Sequence, residues 1–184
     1  MYKKDIDKKN KLFVIINTFL IFAFAFVTHN LYEWLPSFVT TIFPVNESLY
    51  EHVKMIFITP IIISTVLYVI FYFKGKVIDN YIGGLFISTI FNIVFFYLIF
   101  LPIYNMIGEN MAVTLIIYFI SIVVSQFINY LIIKRPNNKL FNIISLILMF
   151  ITMVVLLYFT YNPIEGDFFL DKNNNIYGIP PRNS

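Results

Sequence analysis

His29 and Glu33 stand four residues apart, and Glu47, Glu51 and His52 follow close behind. These are residue types that bind metals or move protons. At helical spacing, His29 and Glu33 share one face. Glu47, Glu51 and His52 belong to the polar segment Phe43-Pro44-Val45-Asn46-Glu47-Ser48-Leu49-Tyr50-Glu51-His52-Val53-Lys54, which leads into a long apolar run. Two helix ends joined by a loop can bring imidazoles and carboxylates together. His29, Glu33, Glu51 and His52 are then candidate ligands for a divalent ion such as zinc. The same chemistry makes Glu47, Glu51 and His52 candidates for acid–base catalysis. No His-Glu-x-x-His, Gly-x-Ser-x-Gly or Gly-rich phosphate loop accompanies them. There is no cysteine, which excludes disulfides, thiolate catalysis and Cys-ligated zinc.

The segment also has a purely structural reading. Ser48 and Glu51 fit a capping box, in which the hydroxyl accepts from the Glu51 N–H and the carboxylate accepts from the Ser48 N–H. Acids suit the positive end of a helix dipole. Lys54 is placed to pair with Glu51 or Glu47, with its stem reaching toward the membrane interface. On this reading the cluster, with Asn46, caps two helices and pins the loop between them.

Pro44-Val45-Asn46-Glu47-Ser48, then Glu51-His52-x-Lys54, then Pro60, resembles a family of uncharacterised small bacterial multi-pass membrane proteins. The tail segments Phe168-Phe169-Leu170-Asp171 and Ile176-Tyr177-Gly178-Ile179 resemble that family's ending, so the likeness runs nearly the whole length. It departs at Tyr50, where the family pattern has Trp; an interfacial aromatic is kept. The resemblance implies a membrane protein of unknown function. It directs attention to Asn46, Glu47, Glu51, His52 and Lys54 and assigns them no chemistry.

The elements that must position these residues follow from composition. Of 184 residues, 59% are hydrophobic and 12% charged, against about 25% charged in soluble domains. That excludes a soluble enzyme, a disordered chain and a basic nucleic-acid binder. Uncharged apolar runs predict spans over about 12–35, 48–73, 81–101, 111–133 and 140–161, with an outer tail over 162–184. Each approaches the ~20 residues that a helix needs to cross a bilayer. The expectation is an all-α integral membrane fold, a five-transmembrane-helix bundle forming one domain. Pro36 is the expected end of the first helix. Ala23-Phe24-Ala25 also fits a signal-peptide cleavage site after Ala25. The apolar run continues beyond it, however, which favours a retained span.

Ten of the thirteen Lys and Arg fall before the first run or in the second and fourth connections, with Asp5, Asp7 and Asp79. That side carries a net +7 and the other a net −4. The bias predicts a cytoplasmic N-terminus and an extracytoplasmic C-terminus. Both histidines then lie on the outer side. The expected partners are the lipid bilayer and a membrane protein, with no nucleic acid.

Inside the uncharged stretches of these spans, 12–28, 55–73, 81–101, 111–133 and 140–161, there is no Asp, Glu, Lys, Arg or His, which argues against a proton-coupled carrier. Gly84, Ser88 and Asn92 form one stripe, and Ser121, Ser125 and Asn129 another. Their depths match in pairs if these helices run antiparallel, predicting packing and an Asn92–Ser121 hydrogen bond. Pro60 predicts a bend. Tyr32, Trp34, Phe38 and Phe43 read as an interfacial aromatic belt.

The tail predicts a small β-hairpin over the outer mouth, with Glu165, Asp167 and Asp171 facing Lys54. Asp171, Asn173 and Asn175 mimic a calcium loop. Ile176 and Arg182 stand where that loop needs Gly and Glu, so calcium is disfavoured.

Three functions remain open: a non-enzymatic accessory or interaction protein, a small metal-dependent membrane enzyme, or a carrier for a neutral or lipid-like substrate.

Overall fold

A computed structural model describes residues 2–35, 38–108 and 110–181, with side chains apart from those of 2–5, 38 and 39. Pro36, Phe38's ring and Arg182 therefore fall outside what is described. The chain forms α1 (Tyr2–Trp34), a short 3-10 turn (Phe38–Ile42), α2 (Leu49–Phe73), α3 (Tyr81–Ile107), α4 (Met111–Ile133) and α5 (Lys139–Tyr161). Strands β1 (Leu170–Asp171) and β2 (Ile176–Tyr177) pair antiparallel, Leu170 opposite Tyr177 and Asp171 opposite Ile176. All five helices are long and apolar enough to cross a membrane.

Two boundaries differ from the sequence reading. α1 takes in the Lys-rich residues before 12, because lysines favour helix and need only leave the apolar layer. α3 continues through Pro102 to Ile107. Likewise α2 continues through Pro60.

Asparagines open the later helices. Asn110 and Asn138 accept from Val113 and Phe141 N–H, satisfying donors that helix starts leave free. Asn80 adopts φ +49° and uses its side chain otherwise, donating to the Arg135 and Pro136 carbonyls and accepting from Asn138 N–H. It ties the α2–α3 connection to the α4–α5 connection. Asn10 donates to the Ile133 carbonyl at the same end of the bundle.

Helices α1 to α4 form a ring in which α1 packs on α2 and α4, and α3 packs on α2 and α4. α5 sits outside, against α3. Most of its large apolar side chains are exposed, as suits a lipid-facing helix. Two glycines of α3 permit close approach. A Cβ on Gly84 would lie 2.4 Å from Asn129 Oδ1 of α4, and one on Gly83 would lie 1.9 Å from Phe141 Cε1 of α5.

The polar stripes of α3 and α4 are buried: Gly84, Ser88, Asn92, Ser121, Ser125 and Asn129 all lie inside. The Asn92–Ser121 hydrogen bond is absent, however. Ser121 Oγ donates to its own helix at the Tyr118 carbonyl (2.7 Å), and Asn92 Oδ1 has no partner. A serine in a helix has a carbonyl of its own within reach, and here that carbonyl wins.

The polar tie at the centre of the ring lies elsewhere. Asn17 of α1 meets Ser64 of α2 (2.7 Å) and donates to Gln126 of α4 (3.1 Å), which also accepts from Asn129 (3.2 Å). Nearer the histidines, Thr28 and Thr59 join α1 to α2 at 2.6 Å.

Candidate metal centre

The polar segment before α2 folds around its helix start. Ser48 is the cap: its backbone is extended and its hydroxyl accepts from Glu51 N–H (3.3 Å). The reciprocal half of the expected capping box is missing. Ser48 N–H is taken by Asn46 Oδ1 (2.8 Å) instead. Glu51 is thereby released to turn inward.

There it meets Lys54 at 2.5 Å, the two side chains 1% and 0% exposed. Glu51 also accepts from Val45 N–H (3.1 Å) and the Thr160 hydroxyl (3.0 Å). Lys54 donates further to the Thr41 carbonyl (2.9 Å) and Thr160 Oγ1 (2.8 Å). All three ammonium protons have acceptors. The pair knits α2, the 3-10 turn and α5 together, and Tyr50 adds a hydrogen bond to the Leu156 carbonyl (2.5 Å). Lys54 neither reaches toward the interface nor meets the tail acids. Its only carboxylate neighbour among the described residues is Glu51.

His52 points the other way. Consecutive helical residues are about 100° apart, so Glu51 and His52 cannot share a face. His52 Nε2 lies 3.4 Å from His29 Nε2, and both face Glu47 Oε2, at 3.7 and 3.5 Å. His52 Nδ1 bonds the Ser48 carbonyl at 2.8 Å. A carbonyl only accepts, so Nδ1 carries the hydrogen and Nε2 presents its lone pair to the trio. Among the candidates named from sequence, His29, Glu47 and His52 come together. Glu51 is turned into the ion pair, and Glu33 stays exposed outside the group.

Glu47 precedes α2, so its position is set from a distance. Its N–H donates to Asp171 Oδ2 (3.3 Å), and Asn46 Nδ2 donates to the Gly178 carbonyl (2.7 Å). Asp171 is itself pinned within the hairpin by Asn173 N–H (2.9 Å), Asn174 N–H (3.3 Å) and Asn174 Nδ2 (3.0 Å). Gly178 takes φ +65°, and a Cβ there would lie 2.9 Å from the Thr160 carbonyl. Tyr50 N–H donates to the Phe168 carbonyl (2.9 Å), and the Tyr50 ring stacks on Phe169 at 4.5 Å. The tail thus closes over the loop. Its acids do other work than facing Lys54: Asp171 holds Glu47, and Asp167 lies 3.9 Å from Lys172.

The neighbouring imidazoles, His29 first, hold the Glu47 carboxyl below the ordinary carboxylate range, outweighing the burial that raises it. For Asp171, burial pushes upward, but the Asn174, Glu47 and Asn173 donors pull the carboxyl below its usual value. Both are therefore anionic at neutral pH.

Glu47 and His52 line a cavity of about 100 Å³. Its walls are Phe96, Tyr97, Phe100 and Tyr104 of α3, Thr114 of α4, and tail residues including Lys172 and Asn173. The trio therefore has an open side, whereas the Glu51–Lys54 pair has none.

A family model described as a family of unknown function (DUF6512) matches residues 1–179, and the chain belongs to that family. No match was found among curated proteins or among solved structures.

Proposed function

We propose that this DUF6512 protein is a multi-pass protein of the bacterial cell membrane, with a working centre formed by one divalent transition metal, zinc first, held by His29, Glu47 and His52 at its outer end. The N-terminus faces the cytoplasm and the C-terminus the outside, a reading supported by the basic connections gathered at the end of the bundle away from the trio.

The observation that carries the metal reading is a triangle. The three facing ligand atoms are 3.4, 3.5 and 3.7 Å apart, too long for good hydrogen bonds. A point equidistant from all three lies at ~2.0–2.2 Å, the distance of zinc from nitrogen and oxygen ligands. Two histidines and one glutamate are a donor set used by catalytic zinc, which keeps a further position open. Here the open side meets the cavity. The backbone carbonyl behind His52 is the outer contact that fixes a ligating imidazole. Bound there, the ion supplies a Lewis acid and activates water at the membrane surface.

A second reading, a non-enzymatic accessory protein, draws on the saturated Glu51–Lys54 pair, which is structural. Metal analysis of the purified full chain separates the two. The metal reading expects one equivalent of zinc in wild type and none in His29→Ala or His52→Ala. Wild type that takes up no metal after incubation with zinc overturns it and leaves the accessory reading.

A further inference from the structure

We infer that the cavity beside the trio receives the phosphate head of a phospholipid whose acyl chain lies in an adjoining groove on α3. The inference rests on the metal reading for the positive charge of the head chamber and on separate observations for the groove.

A second cavity, of about 560 Å³, runs along the outer half of α3. It is lined by Val94, Leu98 and Pro102, with Val53 of α2 beside them and Phe168 of the tail. From Ile93 to Pro102 it follows the helix for ~13 Å. Its volume is that of a small-molecule pocket. Val94 and Leu98 are 59% and 70% exposed, so the groove opens sideways, toward the acyl chains of a surrounding bilayer. The polar atom of its one polar wall residue is turned away: Tyr97 donates its hydroxyl to the Leu49 carbonyl (2.5 Å). Nothing in the groove suits a polar occupant.

Tyr97 also lines the cavity beside the trio. Its ring packs edge-on against Phe168 at 5.9 Å, forming a thin partition. On one side is a wholly apolar trough. On the other are Thr114, Asn173, the Asp167 carboxylate with the Lys172 ammonium, and the open face of the trio. Lys172 is half exposed, 3.9 Å from Asp167, with its ammonium 5.6 Å from the centre of the Tyr104 ring. Glu47 and Asp167 outweigh Lys172 until a divalent metal is bound, which turns the chamber net positive. An apolar trough and a chamber made cationic by that metal, sharing one wall, fit a molecule with an acyl chain and an anionic head. A phospholipid of the outer leaflet has both and reaches the groove laterally.

The test uses the full chain in nanodiscs with two photoreactive phosphatidylglycerols, one labelled on the acyl chain and one on the head. Acyl-label adducts are expected on Val94, Leu98 and Phe168, and head-label adducts on 167–173. Lys172→Gln is expected to lower the head-label yield about tenfold, the scale of one charge-assisted contact. Leu98→Trp, which fills the trough, lowers both, and Val94→Phe repeats the experiment if that variant fails to fold. Head label spread evenly over the outer face, unchanged by these substitutions while zinc remains stoichiometric, overturns the inference and leaves the metal reading standing. Head label that localises to 167–173 only when zinc is bound upholds the inference, and acyl label localised without any such head-label focus overturns it.

Discussion

Glu51 and His52 are neighbours in the chain and end in opposite surroundings. Glu51 enters a closed compartment where every charge and proton has a partner. His52 enters an open one, where three ligand atoms face a common point at 3.4, 3.5 and 3.7 Å from one another, longer than ordinary hydrogen bonds. A saturated polar cluster has nothing left to offer a ligand. An unsaturated one beside a cavity does. The contrast places a closed ion pair and an open polar cluster within a single helical turn.

The contrast breaks most visibly at Lys54. Lys54→Met leaves Glu51 buried without its cation, and breaking such pairs costs about 3–5 kcal/mol. Thermal unfolding in detergent is expected to show that loss, with much of it restored by adding Glu51→Leu. His52→Ala without metal is expected to lose far less. An equal loss would erase the distinction between the two compartments.

Zinc sharpens it next. At a free concentration 100 times Kd, bound ligand stabilises the folded state by about 2.7 kcal/mol. That gain is expected in wild type, absent in Glu47→Gln and unchanged in Glu33→Gln, as read by the zinc-dependent shift in Tm.

Asp171 links the compartments through the tail. Asp171→Ala strands the Glu47, Asn173 and Asn174 donors at a cost of about 1–3 kcal/mol, measured as faster amide exchange over 168–178. The pH dependence has the same origin. A carboxyl whose folded pKa is depressed adds stability above its unfolded value, and loses it as pH falls through the folded one. Tail protection is thus expected to be full above pH ~5 and to fade below the ordinary Asp value of about 3.9. Asp171→Asn is expected to flatten that profile.

The smallest effect is Tyr50→Phe, which removes the hydrogen bond to Leu156 from the closed side. The expected cost is about 1 kcal/mol, with zinc uptake unchanged in the same metal assay.

The helices were readable because continuous apolar runs state their own length, and their ends were less so. Lysines before residue 12 continue α1, and Pro102 sits inside α3. The reading picked both histidines by residue type, but it took Glu33 and Glu51 as their partners in metal binding. The i,i+4 rule places Glu33 beside His29 along a helix and says nothing of what lies across from it. Glu51 was excluded by an angle already present in the sequence, one residue from His52 on a helix. Glu47 was legible as a candidate for acid–base work, but its place beside both imidazoles was not, because its backbone is fixed by Asp171, 124 positions away. The core tie through Asn17, Ser64 and Gln126 had a signal that was passed over: neutral polar residues within otherwise apolar runs. Stripes at regular spacing drew the attention instead.

The attachment of Asn46 and Glu47 to the tail has a consequence for the order of biosynthesis. His29, Glu47 and His52 all leave the ribosome ahead of Asp171 and Gly178, Glu47 by 124 residues. A nascent chain stopped at Tyr161 already has every donor atom but none of the contacts that hold Glu47 in line. The end of the bundle that holds the trio is therefore completed only after α5 has been made. On the metal reading, premature capture of an ion by a half-made protein is disfavoured by the order of translation itself.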